Sequence, residues 1–202
     1  MADLIKEGMH GCSAEENYVV PAEQAVRDKL EWFQDQKLAL MMHFGAYSQM
    51  GRCESWPLSE EDADWARKDY TWEKDSAVFR KQYFDLMKSF NPLRFEPDKW
   101  ARFAKESGFR YFILTTKHHD GFCMFDTDET DYKITSELCP FHTHRYADVV
   151  RHAFDAFRAE GIGIAPYFSK ADWHCPWYWA KGMEKPVAYW RKKSPFEAAL
   201  II

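Results

Sequence analysis

Polar and apolar residues mix along most of this chain, but three short stretches, 38–44, 111–116 and 162–168, run largely apolar without a break. A continuous apolar run of this length predicts a β-strand covered on both faces, as in a parallel sheet. Around them the spacing turns helical. Ala25, Leu30 and Phe33, with Trp32 close by, predict a short helix after Pro21. Phe79, Tyr83, Leu86, Met87 and Phe90 predict a helix over 76–90, stopped by Asn91-Pro92. Trp100, Phe103 and Ala104 predict another, with Asp98 as N-cap and Gly108 as C-terminal breaker. Tyr146, Val149, Val150, Ala153, Phe154 and Phe157 predict a helix over 145–160 that ends at Gly161. Strand, helix, strand, helix, strand is the order of parallel βα units and predicts an α/β fold. Residues 1–20 are polar and aperiodic and predict a loosely ordered lead-in. Residues 47–75 predict a long loop, of a length that in compact domains often carries function.

Each predicted strand finishes in groups that form hydrogen bonds: His43 after the first, Lys117-His118-His119-Asp120-Gly121 after the second, Tyr167-Phe168-Ser169 at the third. In a parallel α/β barrel all strands point their C-terminal ends to one face, where the active site lies. The fold predicted is therefore a (β/α)8 TIM-like barrel of which only about the first three βα units are present. Three strands cannot close a barrel that takes eight strands and about 250 residues, so the chain is expected to be truncated relative to a complete barrel.

Adjacent strand residues point to opposite sides. His118 and His119 can therefore serve one site only where the strand gives way to a loop, and Gly121 permits that bend. A neutral imidazole offers one donor and one acceptor, which suits vicinal hydroxyls. His43 and Tyr167 would bring an imidazole and a phenol to the same rim, although either residue serves as well as a satisfied core side chain. Glu54-Ser55-Trp56 in the long loop sets a carboxylate beside an indole: the first accepts hydrogen bonds from hydroxyls, and the second covers an apolar sugar face. Asp172, Trp173 and His174 follow just beyond the third strand. His43, His118, His119, Asp120 and His174 also contain enough ligand types for a zinc or iron site, yet lack a His-x-His spacing. Neither a metal nor another cofactor is expected.

Composition narrows the classes. Aromatic residues make up 17%, which fits either sugar stacking or an aromatic-rich core. With 27 basic against 32 acidic residues and no long basic run, a nucleic-acid surface is not expected. No stretch approaches the roughly 20 apolar residues of a membrane span, and the start does not resemble a secretory signal. Five cysteines at wide, irregular spacing form no C-x-x-C pair, which fits reduced thiols in a cytoplasmic protein. A periplasmic or secreted location applies if an export signal has been trimmed away.

Met42-His43-Phe44-Gly45-Ala46-Tyr47-Ser48, Glu54-Ser55-Trp56, Phe95-Glu96-Pro97-Asp98-Lys99-Trp100, Thr116-Lys117-His118-His119-Asp120-Gly121-Phe122 and Tyr167-Phe168-Ser169 with Asp172-Trp173 resemble the N-terminal part of the family 29 glycoside hydrolases, the α-L-fucosidases. The resemblance covers about residues 30–175. It implies that 21–202 is the N-terminal portion of a (β/α)8-type catalytic domain, with a β-sandwich after the complete domain. It further implies that His43, Glu54, Trp56, His118, His119 and Tyr167 line a fucose subsite, and that the expected partner is a fucosylated glycan or glycoside. Self-association into a homo-oligomer is left open. The family retains anomeric configuration, which requires two carboxyl groups roughly 5 Å apart. Its nucleophile is an aspartate in a Trp-x-Asp context on a later strand, expected beyond Ile202, so no residue of this chain is assigned as catalytic. The rival readings are a non-catalytic carbohydrate-binding protein and a metal-dependent barrel hydrolase.

Overall fold

The computed structural model describes residues 19–59, 63–67 and 75–175. The predicted lead-in lies almost wholly outside them. The chain divides into two units at Lys37. The first contributes helix α1 (Gln24–Gln36). The predicted apolar face of α1 stays largely open, with Leu30, Trp32 and Phe33 all exposed and the Lys29 ammonium 3.9 Å from the Trp32 ring centroid.

The second unit, from Leu38 onward, holds strands β1 (Ala39–Met42), β2 (Tyr111–Lys117) and β3 (Gly163–Phe168) and helices α2 (Ser76–Asp85), α3 (Pro97–Glu106) and α4 (Val149–Ala159). The strands form one parallel sheet in the order β1-β2-β3. Ala39 pairs with Tyr111 and Met42 with Leu114; Tyr111 pairs with Gly163 and Thr115 with Tyr167. All three C-terminal ends therefore reach the same edge. The register slips between Thr115 and Lys117, where β2 leaves the regular ladder.

Burial on both sheet faces, expected from the unbroken apolar runs, holds only in part. On one face Leu40, Met42, Phe112, Leu114 and Ile164 pack into the main core with Ala101 and Ala104 of α3 and Val149, Ala153, Phe154 and Phe157 of α4. Phe112 lies flat on Phe157, their ring centroids 3.8 Å apart. The opposite face is more open: Met41 is exposed, and Ile113 and Ala165 are half-buried. The physical reason is that, among the described residues, α3 and α4 pack on the first face while no element of comparable apolar content covers the second.

Helix boundaries follow the caps. Asp75 accepts from the Ala77 and Val78 amides and starts α2, which tightens into a 3₁₀ turn at Leu86–Ser89 rather than running on to Phe90. Asp98 is not the N-cap of α3. Glu96 holds that place, Pro97 fills the first turn with its φ already suited to a helix, and Asp98 adds a negative charge beside the N-terminal amides. The last helix begins at Val149, not 145, because the Asp148 carboxylate accepts from the Arg151 amide at 3.0 Å.

Candidate active site at the strand ends

Side chains tie the strand ends together before any site residue is reached. The Thr115 hydroxyl accepts from the Phe44 amide at 3.1 Å and lies 3.1 Å from the Tyr47 hydroxyl. Thr116 donates to the Tyr167 carbonyl at 3.0 Å. These contacts fix the backbone from which His43, His118 and Tyr167 project.

After Lys117 the chain turns at once, with the Gly121 amide donating to the His118 carbonyl at 3.1 Å. Gly121 sits at φ +84°, and a Cβ there would run into the Asp172 carboxylate. Glycine is required on both counts. The turn brings the His118 and His119 rings together at 4.3 Å between centroids, so the bend expected from the sequence is present.

Glu54 lies at the centre of the cluster. Its two oxygens stand 3.3 Å from His43 Nδ1 and 3.6 Å from His118 Nε2, and the Trp56 indole donates to it at 2.9 Å. Glu54 adopts φ +45°, a left-handed conformation that costs a residue with a side chain of order 1 kcal/mol or more and that collects at functional sites. The Trp56 ring meets His119 edge-on at 4.9 Å, and the Tyr167 ring lies 6.0 Å from both His43 and His118. All six residues singled out in the sequence thus converge: His43 from the end of β1, Glu54 and Trp56 from the long loop, His118 and His119 from the end of β2, Tyr167 from β3.

Three further groups stand within or beside the sequence motifs but receive a role only from the structure. Buried Ser55 places its hydroxyl 2.5 Å from His118 Nδ1, and Ser169 makes the equivalent contact with His119 Nδ1. A hydroxyl can donate or accept, so each serine orients its imidazole whichever nitrogen holds the proton. Trp173, 4% exposed, closes one side 5.0 Å from His119 and 5.9 Å from Trp56. Its loop is fastened by the Trp173 amide donating to the His119 carbonyl at 2.6 Å and by buried Lys117 donating to the Ala171 carbonyl at 2.9 Å.

The other candidates from the sequence face elsewhere. Asp120 is fully buried and accepts from the Tyr83 hydroxyl at 2.8 Å and the Phe122 amide at 3.2 Å. Asp172 caps the His174 and Cys175 amides, each at 3.1 Å. His174 stacks on Tyr132, 4.3 Å between ring centroids. Of the five residues considered for zinc or iron, only His43 and His118 share a donor cluster, and their third member is Glu54.

Burial favours the neutral form of the His118 and His119 imidazoles. Burial first, then the nearby His119, His43 and Lys117, hold His118 down at about 3. His119 is lowered by burial and then by Lys117. Burial, with Glu54 behind it, raises the Tyr167 phenol, which stays a donor. The rim therefore presents imidazole and phenol donors and acceptors, one carboxyl group and two indole rings, a set whose chemistry suits hydroxyls and an apolar ring face.

The chain also resembles known proteins in sequence and in fold. The profile of the family described as Alpha-L-fucosidase matches residues 8–198. Alpha-L-fucosidase 1 of Arabidopsis thaliana is 31% identical over 146 residues, covering 72% of this chain and 23% of that protein. The solved structure of alpha-L-fucosidase isoenzyme 1 from Paenibacillus thiaminolyticus superposes with a TM-score of 0.62 at 33% identity, covering 86% of this chain and 36% of the other. A Bacteroides thetaiotaomicron alpha-L-fucosidase, captured as a trapped covalent intermediate with 2-fluoro-fucosyl fluoride, gives 0.60 at 30% identity, covering 80% and 33%. The chain thus spans about a quarter to a third of the length of these relatives. These likenesses favour neither the non-catalytic sugar binder nor the metal-dependent hydrolase. On the profile match and the shared fold together, this chain belongs to the α-L-fucosidase family of glycoside hydrolases.

Proposed function

We propose that these strand ends form the sugar-gripping part of an α-L-fucosidase, and that the whole protein releases terminal α-linked L-fucose with retention of configuration through a (β/α)8 barrel. The observation that carries the reading is the convergence of His43, Glu54, Trp56, His118, His119 and Tyr167 at one edge of a parallel sheet. The imidazoles and the phenol would hold the hydroxyls, and Trp56 and Trp173 would cover the apolar side of the ring. Binding energy from hydroxyls away from the reacting carbon helps distort the ring toward an oxocarbenium-like transition state. The covalent intermediate trapped on the Bacteroides relative supports double displacement.

Double displacement needs a nucleophile and an acid/base about 5 Å apart. Among the described residues, Asp120 and Asp172 are engaged in internal hydrogen bonds, and Glu54 is held between two histidines and an indole. The chain would supply recognition, with the reacting carboxyls contributed by residues other than these. The four cysteines among the described residues are unpaired, two of them buried, which supports a reducing, cytoplasmic setting. Among the described residues no helix is long and apolar enough to cross a membrane.

The test uses this chain with L-fucose and a chromogenic aryl α-L-fucoside. Saturable quenching of tryptophan emission by L-fucose, without turnover of the aryl fucoside, is expected. A folded chain whose emission ignores L-fucose would remove the recognition role, and robust turnover would move the chemistry into this chain.

A further inference from the structure

We propose that His43, Glu54 and His118 form a site for a single divalent transition ion of the zinc type, and that this ion competes with the sugar. The competition rests on the sugar reading above, whereas the ion site stands on geometry alone. One ligand atom from each of the three residues lies within 4.8 Å of the others. Tetrahedral zinc at 2.0–2.1 Å from its nitrogen and oxygen ligands places neighbouring ligands about 3.3 Å apart. His43 Nδ1 stands 3.3 Å from one Glu54 oxygen and His118 Nε2 3.6 Å from the other, so each imidazole already faces the carboxylate and side-chain rotations would draw the three donors onto one ion.

The surroundings match those that hold metal ligands in place. A ligating histidine usually anchors its other ring nitrogen on a hydrogen-bond partner, which fixes both tautomer and ring orientation. His118 does so through Nδ1 to buried Ser55 at 2.5 Å, which leaves Nε2 directed at the cluster. Ser55 can accept a hydrogen bond from Nδ1–H when Nε2 binds an ion, or donate one to Nδ1 when Nε2–H faces a sugar hydroxyl, so one hydroxyl rotation serves both occupants. Glu54 is steadied by the Trp56 indole. The His43 side chain keeps 30% exposure, which gives an ion and a water ligand a route in from solvent. Two imidazoles and one carboxylate with one open position is a ligand set that zinc accepts.

The ion and the sugar would use the same atoms, so each excludes the other. The ion has no part in the hydrolysis proposed above.

The test titrates ZnCl₂ into the chain in a non-chelating buffer, with Co²⁺ as a coloured probe of coordination. One ion per chain is expected, and Glu54→Gln and His43→Ala should each weaken binding at least tenfold, the lower end of losses seen at metal sites on losing even a ligand-supporting group. Circular dichroism checks that both variants are folded. Cys53, exposed and next to Glu54, is the competing donor, so Cys53→Ser must leave zinc affinity intact. Free zinc should raise the apparent Kd for L-fucose in proportion to its concentration. Zinc binding that survives both Glu54→Gln and His43→Ala, that disappears in Cys53→Ser, or that leaves L-fucose affinity untouched overturns the proposal. Zinc binding dependent on His43 and Glu54 in a chain that ignores L-fucose upholds the ion site and removes the sugar reading instead.

Discussion

At the scale of single residues, two nearly buried titratable neighbours, His118 and Asp120, pull in opposite directions. His118 titrates at about 3 in the folded chain against 6.5 for the free side chain. Between those values the unfolded chain takes up a proton that the folded chain refuses, so its contribution is full above pH 6.5 and is lost as pH falls toward 3. Asp120 is raised by burial from 3.8 to about 6. There the folded chain holds the proton more tightly, so stability falls as pH rises through that window. The two effects largely offset between pH 7 and 4, with His118 the larger. Urea unfolding at those two pH values separates them. Relative to the parent chain, acidification should cost His118→Gln roughly 3 kcal/mol less and Asp120→Asn roughly 2 kcal/mol more. Variants with unchanged pH slopes would show that neither group is held as described. The sequence made the histidines visible, because a His-His-Asp-Gly run at a strand end is unusual chemistry in a conspicuous place. It could not show that Asp120 turns away from the rim to Tyr83, since that depends on a tyrosine 37 positions earlier. Ser55 and Ser169 stand inside the motifs, but serine is common and the role of each follows only from which ring it meets.

At the scale of elements, the hinge of the site is the turn from His118 to Gly121. Alanine at Gly121 meets two penalties, a left-handed backbone and the Asp172 carboxylate. Gly51 provides the control, since it too has positive φ, +60°, but open space around its Cβ position. Gly51→Ala should lose about 1 kcal/mol, and Gly121→Ala should lose about 1–3 kcal/mol more and also weaken L-fucose binding, because the displaced Asp172 turn carries Trp173. Equal losses, read by denaturant unfolding, would mean that the loops do not interlock. The strands were legible from their apolar runs and the helices from their spacing, but the helix starts moved to where carboxylates cap them, as at Asp148, or where a proline sets the first turn, as at Pro97. The apolar runs of β1 and β3 overstate their burial, because such a run reports what a strand can cover and not which neighbours are present.

At the scale of the whole molecule, the sheet orders its strands so that residues more than 120 positions apart in sequence, His43 and Tyr167, face one another at 6.0 Å. Parallel topology accounts for this, since each βα unit returns the chain to the same edge. The most direct measurement is calorimetric titration of L-fucose into the chain and into three variants, one from each strand end: His43→Ala, His119→Ala and Tyr167→Phe. Each should weaken binding by about fivefold or more, the effect of one lost hydrogen bond. Binding indifferent to all three, or sensitive to one strand end alone, would contradict a single site shared among them.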